Sequence, residues 1–143
     1  MKGENTMDKQ CFYFCTVCGN IVEKVHDSGN ELTCCMRTMM DLKPGEGGGN
    51  PDHHIPICKV EEQGENTVKI TIGKDPHPME ESHYIQWVQI ITDKGEVRRC
   101  LKPGDKPEVT IHLCEGEKIK GIYSYCNMHK LWEAKCDQNQ ERS

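Results

Sequence analysis

No apolar run in these 143 residues approaches the length needed to span a membrane. The first ten residues, MKGENTMDKQ, lack the apolar core of a secretory signal. A cytoplasmic location without a membrane partner is therefore expected. There is no surplus of positive charge: the net charge is −5, which argues against a general nucleic-acid-binding protein. No segment sustains a 3.6-residue apolar period, which argues against a helical core, and there is no internal repeat. Hydrophobic residues make up 35% and charged residues 29%, the balance of a water-soluble chain with a modest core.

What the chain has in quantity is cysteine, ten residues, and histidine, seven. In a reducing cytoplasm so many cysteines point to metal or redox chemistry more than to disulfides. The stretch GEGGGNP, Gly45 to Pro51, has few side chains to pack and reads as a linker. It divides the chain into residues 1–44, a Gly-rich linker at 45–49, and residues 50–143. Met1–Thr6 reads as a loose extension, with Met7 as an alternative start. The first part is too small to bury a stable core and needs a metal or disulfides. The second part alternates with the period of β-strands. IPICKVEE, TVKITIG, HYIQWVQIIT, EVRRCL, EVTIHL, KIKGIYSY and LWEAKC are seven candidate strands, with TDKGE and KPGDKPE as turns between them. An all-β protein is expected, its second part an antiparallel sandwich of immunoglobulin type.

Cys15, Cys18, Cys34 and Cys35 form C-x2-C-x15-C-C. The C-x2-C turn places two thiolates on one metal, and Gly19 permits the tight backbone path such a turn needs. Neighbouring strand residues point to opposite faces, so Cys34 and Cys35 can share a metal only where the backbone bends. Four thiolates suit zinc or iron, and a purely structural zinc knot is the alternative to a redox centre. Cys11 lies outside the pattern as a spare thiol.

His53, His54, His77, His83, Cys126 and His129 are candidates for a second site. His77 stands between Pro76 and Pro78 in a rigid loop, His83 opens a strand, and Cys126 and His129 sit three apart between two strands. Imidazole and thiolate together suit iron, copper or zinc. Four imidazoles plus a thiolate overfill a four-coordinate zinc site but fit an octahedral ion with one position open, for which iron is the natural choice.

These motifs resemble those of desulfoferrodoxin, the two-iron form of superoxide reductase. C-x2-C-G-N with the C-C pair resembles its desulforedoxin-like N-terminal module. HHIP, HPMEESHYIQW and CNMHKLW are similar to the three ligand motifs of its neelaredoxin-like catalytic domain, in the same order. The resemblance implies two non-haem irons. One is held by Cys15, Cys18, Cys34 and Cys35. The other is held equatorially by His54, His77, His83 and His129, with Cys126 as the axial thiolate. It also implies a sandwich fold, superoxide as substrate, a rubredoxin-like electron donor and a homodimer. The family usually has Glu-Lys ahead of the first histidine ligand, the glutamate closing the ferric site and the lysine attracting superoxide. Here Asp52 and His53 take those places, and Lys130 follows the last ligand, so these three are the candidates for catalytic roles around the iron.

The other cysteines, Cys58, Cys100, Cys114 and Cys136, fall on candidate strands. They are expected as small buried hydrophobes, with a disulfide between some pair left open. Trp87 and Trp132 are expected as core anchors, His26 and His112 as surface residues.

Overall fold

Strands arise where apolar residues alternate with polar ones, and nearly every regular element of the chain is of this kind. The computed structural model describes residues 10–60 and 66–136. Met1–Thr6, Met7 and the end of the first expected sandwich strand, Glu61–Glu62, lie outside them. The chain divides into two units, Met1–Lys43 and Pro44–Ser143.

In the first unit, β1 (Cys11–Phe14) lies between β2 (Ile21–Lys24) and β5 (Met40–Leu42), both antiparallel to it. A small hairpin joins β3 (Thr33–Cys34) to β4 (Arg37–Thr38). The apolar centre is slight: Phe12 faces Leu42 across the ladder, and Met39 is buried with them. So little buried surface cannot offset the entropy of ordering the chain, which is why this unit needs its metal.

The second unit opens with a single helical turn, α1 (Pro51–His54). The Asn50 side chain caps it by accepting from the Asp52 N–H at 2.9 Å, and Pro51 fits the first helical position. Seven strands follow: β6 (Pro56–Val60), β7 (Thr67–Ile72), β8 (Ile85–Thr92), β9 (Gly95–Cys100), β10 (Glu108–His112), β11 (Ile119–Cys126) and β12 (Lys130–Ala134). They form one antiparallel sheet in the order β10-β7-β6 and another in the order β12-β11-β8-β9. All seven expected strands are present, in a three-plus-four sandwich. Val68, Ile70 and Ile72 of β7 and Val109 and Ile111 of β10 meet Ile85, Val88 and Ile90 of β8 and Ile119, Ile122 and Cys126 of β11.

Two breaks in alternation matter. On β8, Ile85 and Val88 both face the core although they are three apart. The ladder pairs Trp87 with Tyr125 but Ile85 with Cys126, so Gln86 is an extra residue in a bulge. A second register shift lies between Ile119 and Gly121. The first bulge sits at the end of the sheet that carries the fully buried Cys126, and it keeps Ile85 on the inner face opposite it.

Four expectations are corrected. Cys100 ends β9, an edge strand whose side chains mostly face solvent, and is exposed. Cys114 lies beyond β10 in the following turn and is also exposed. Cys58 and Cys136 are not free thiols: they form a disulfide. Trp132 is buried as expected; Trp87 is only partly buried and stacks on Tyr125 at 5.5 Å.

Ile70 has no exposed surface. Ile70→Ala is expected to lower unfolding stability by about 2–5 kcal/mol, measured by denaturant titration of tryptophan fluorescence. A loss below about 1 kcal/mol would mean that the sheets do not close on this residue.

Candidate metal centres

The four N-terminal cysteines are delivered by two turns. In the first, the Cys15 N–H donates to Asn20 O and the Gly19 N–H to Cys15 O, both at 2.9 Å, with Gly19 at φ +86°. This winds the chain around Cys15 Sγ, which accepts from the Cys18 N–H at 3.4 Å. In the second, Cys35 and Met36 form the two-residue loop between β3 and β4, with φ of +54° and +63°. Left-handed backbone at both positions is the type I′ hairpin turn, whose twist matches the strands it joins. This is the bend that lets adjacent cysteines face one point. Cys18 Sγ lies 3.6 Å from Cys34 Sγ, and Cys34 Sγ 3.9 Å from Cys35 Sγ. A tetrahedral ion with metal–sulfur bonds of about 2.3 Å requires edges of roughly 3.8 Å, so the donor set fits.

The thiols are electrostatically unequal. The Cys18 N–H draws Cys15 down to about 6. The neighbouring sulfurs of Cys18, Cys15 and Cys34 push Cys35 up to about 12. Four thiolates this close repel one another until a cation sits between them.

At the end of the sandwich, four imidazoles close a ring. Centroids of His54–His77, His77–His83, His83–His129 and His129–His54 are 4.6, 4.7, 5.1 and 4.8 Å apart, with interplanar angles of 76°, 80°, 69° and 86°. The His54–His83 diagonal is 6.3 Å. A ring bound through nitrogen at about 2.1 Å has its centroid roughly 3.2 Å from the metal, so opposite ligands of one ion stand roughly 6.4 Å apart. His54 Nδ1 donates to Asn50 O at 2.8 Å and His77 Nδ1 to Pro78 O at 2.6 Å, which turns both Nε2 atoms inward, 3.2 Å apart. His83 Nε2 is buried with no hydrogen-bond partner. His129 enters through Nδ1, 3.1 Å from His54 Nε2 and 3.8 Å from Cys126 Sγ. The tightest grouping is His54, His77, His83 and Cys126, whose ligand atoms all lie within 4.8 Å of one another, and His129 completes the ring at its edge. Cys126 Sγ lies beside this ring and is fully buried.

Burial holds His54, His77 and His83 below their ordinary range, His77 at about 4. They are therefore neutral, as ligation requires. Burial also pushes the Cys126 thiol up, opposed by the N–H groups of Met128 and His129 directed at its sulfur. A buried ion reverses that penalty and makes the thiolate the favoured form.

The family model described as desulfoferrodoxin matches residues 47–135, and that of the desulfoferrodoxin N-terminal domain matches residues 6–42. The desulfoferrodoxin of Nitratidesulfovibrio vulgaris is 38% identical over 85% of this chain and 93% of its own. A desulfoferrodoxin homologue of Archaeoglobus fulgidus is 40% identical over 85% and 94%. The chain belongs to the desulfoferrodoxin family. In solved structures it is similar to the superoxide reductase of Treponema pallidum, with a TM-score of 0.72 and 27% identity over 89% of this chain and 99% of that one. The two donor sets match the family's two iron centres.

The other candidates lie around this set. Asp52 is exposed on α1, its carbonyl accepts from the Asp75 N–H, and its carboxylate is outside the converging group. His53 is half-buried and its Nδ1 is buried without a hydrogen-bond partner. Lys130 opens β12 at φ +66° and is half-buried.

Several supporting residues carry no ligand signal of their own. Trp132 stacks on His54 at 4.8 Å and donates through Nε1 to His129 O at 3.2 Å. Ser124 donates to His54 O at 3.3 Å. Asn127 joins two ligand segments: its Oδ1 accepts from the Tyr84 N–H at 2.9 Å, its Nδ2 donates to Ser82 O at 3.1 Å, and its own N–H reaches Tyr84 O at 3.2 Å. It thereby ties the His83 loop to the turn between Cys126 and His129. The only hint in the sequence is its place between two ligands.

The Gly-rich segment also touches the site. A Cβ on Gly47 would lie 2.1 Å from His129 O, and one on Gly49 2.8 Å from the His129 ring and 2.9 Å from that of His54.

Two outcomes are expected. Asn127→Ala should weaken metal retention at the imidazole site 10–100-fold in chelator competition while the four-cysteine absorption is unchanged. Unaltered retention would show that the ring holds itself. Gly47→Ala should displace His129, since a backbone carbonyl cannot yield as a side-chain tip can. Iron content should fall from two per chain toward one, and full loading would refute the close approach.

Proposed function

We propose that this chain is a superoxide reductase in which the imidazole site is the reaction centre. The observation that carries this reading is the closed ring of four imidazoles with one buried sulfur beside it. Such a set uses five positions of an octahedron and leaves one for a small molecule. A ferrous ion held there supplies one electron and an open coordination position. Superoxide takes up that electron and two protons to become hydrogen peroxide.

The chain's own residues set the conditions. His54, His77, His83, His129 and Cys126 are assigned as the residues that would hold the iron. Hydrogen bonds from His54 and His77 to Asn50 O and Pro78 O fix their tautomers. The Met128 and His129 N–H groups draw charge from the Cys126 sulfur and so moderate how strongly it donates. Asp52, His53 and Lys130 are assigned to the surroundings of the open position. The exposed Asp52 carboxylate stands apart from the donors and is a poor sixth ligand. Lys130 supplies positive charge beside His129 for an anion approaching a chain of net charge −5.

The reading extends to a cytoplasmic homodimer, re-reduced by a rubredoxin-like donor, with a module at residues 1–44, a linker at 45–49 and a catalytic domain at 50–143. No long apolar helix able to cross a membrane is present among the described residues.

Pulse radiolysis of the ferrous protein tests the activity, with rapid bleaching of superoxide at the imidazole-ligated iron expected. A non-catalytic two-iron carrier would give no fast reaction. Cys126→Ser should abolish turnover and the visible sulfur-to-iron band of the oxidised imidazole-ligated iron, while the four-cysteine absorption and the β-sheet circular dichroism are retained. Survival of both band and turnover would remove Cys126 from the ligand set.

A further inference from the structure

The Cys58–Cys136 disulfide spans 78 residues, with its Cα atoms 5.4 Å apart, a separation such a bond bridges without backbone movement. Cys58 lies on β6, an edge strand of the three-stranded sheet. Cys136 lies just beyond β12, an edge strand of the other. The bond therefore joins the two sheets along one margin of the sandwich. Both residues are partly exposed and both pack against the rim of the core. A small oxidant can reach them.

The same margin carries the metal ligands at its other end. His54 precedes β6 and His129 precedes β12, and Trp132 of β12 stacks on His54 across the gap. Parting of the two edge strands would open the ring of imidazoles. The other cysteines are differently placed. Five belong to the two donor sets, and Cys11, Cys100 and Cys114 are free.

We propose that Cys58 and Cys136 are a peroxide-responsive dithiol, reduced at rest and oxidised to a disulfide that locks the margin when peroxide accumulates. The internal source of peroxide rests on the superoxide-reducing reading; the thiol chemistry does not. One thiolate attacks a peroxide oxygen, the O–O bond breaks, and a sulfenic acid and water form. The second thiol attacks that sulfur, the S–S bond forms, and a second water leaves. Two thiols and one hydrogen peroxide thus give one disulfide and two waters.

The test uses the full-length iron-loaded protein, reduced with a phosphine that is then removed. Hydrogen peroxide is added, and disulfides are mapped by mass spectrometry of non-reduced peptides. A Cys58–Cys136 linked peptide is expected, together with a rise of roughly 10 °C in the thermal midpoint of the sandwich. Cys58→Ser and Cys136→Ser should each have the midpoint of the reduced wild type and show no rise. Both thiols still open to alkylation after peroxide would overturn the proposal. So would a disulfide that a glutathione buffer of cytosolic poise cannot reduce, since the bond would then be permanent. In a parallel arm the reduced protein meets a superoxide source with an electron donor. Linkage by added peroxide but not in this arm upholds the dithiol and counts against the superoxide-reducing reading.

Discussion

Buried lone pairs that face one another, with no proton donor between them, require a cation. This one constraint organises the sandwich end of the chain. His54 and His77 use their outer nitrogens on backbone carbonyls and so turn the inner ones toward a common point, where His83 Nε2 has no protein partner. Burial disfavours protonated imidazole and ionised thiol alike. A metal ion satisfies all the donors at once and makes the thiolate the stable form. The surrounding features bring distant segments to that point: the capped turn before β6, the bulge opposite Cys126, the Asn127 side chain across two loops, and glycines against the ring of His129.

How much of this was legible in the sequence depended on the range of the interaction. Alternation is local, and it located all seven sandwich strands. Ligand spacing is also local, and it found both cysteine turns and the Cys126–His129 pair. Features that depend on the fold were hidden. Nothing in EVRRC says that β9 is an edge strand, so Cys100 was expected in the core. Cys58 and Cys136 meet only because two edge strands of different sheets share a margin, and a pairing across 78 residues has no local signal. The Gly-rich run reads equally well as a linker or as backbone that must pass close to a ring, and only the coordinates reveal the second use. The left-handed pair Cys35–Met36 was hidden for another reason. Neither is a residue type that favours positive φ, so composition gave no cue, although the need for a bend there was plain from the two adjacent cysteines.

That strained turn bears on why the first unit can exist. Two successive non-glycine residues at positive φ cost free energy, and the unit has little buried surface to offset it. Met36 is almost wholly exposed, so side-chain packing does not compensate. What the turn gains is convergence of Cys34 and Cys35 with Cys15 and Cys18. Metal ligation is the interaction strong enough to hold the loop in this shape. The expected dependence of the small unit on a metal thus follows from its backbone as well as from its size.

The two donor sets also differ in what they leave open. Four thiolates in tetrahedral array saturate the ion, so that centre can exchange electrons but offers no position to a substrate. Two of its sulfurs belong to exposed residues, Cys18 and Cys35. In the second set Cys126 is wholly buried, and the imidazoles form a ring across which His54 and His83 face one another at 6.3 Å. Its one thiolate would be offered from the interior of the sandwich, where Cys126 belongs to the apolar core. Burial of the sulfur follows from placing Cys126 on the inner face of β11 at the last residue before the turn.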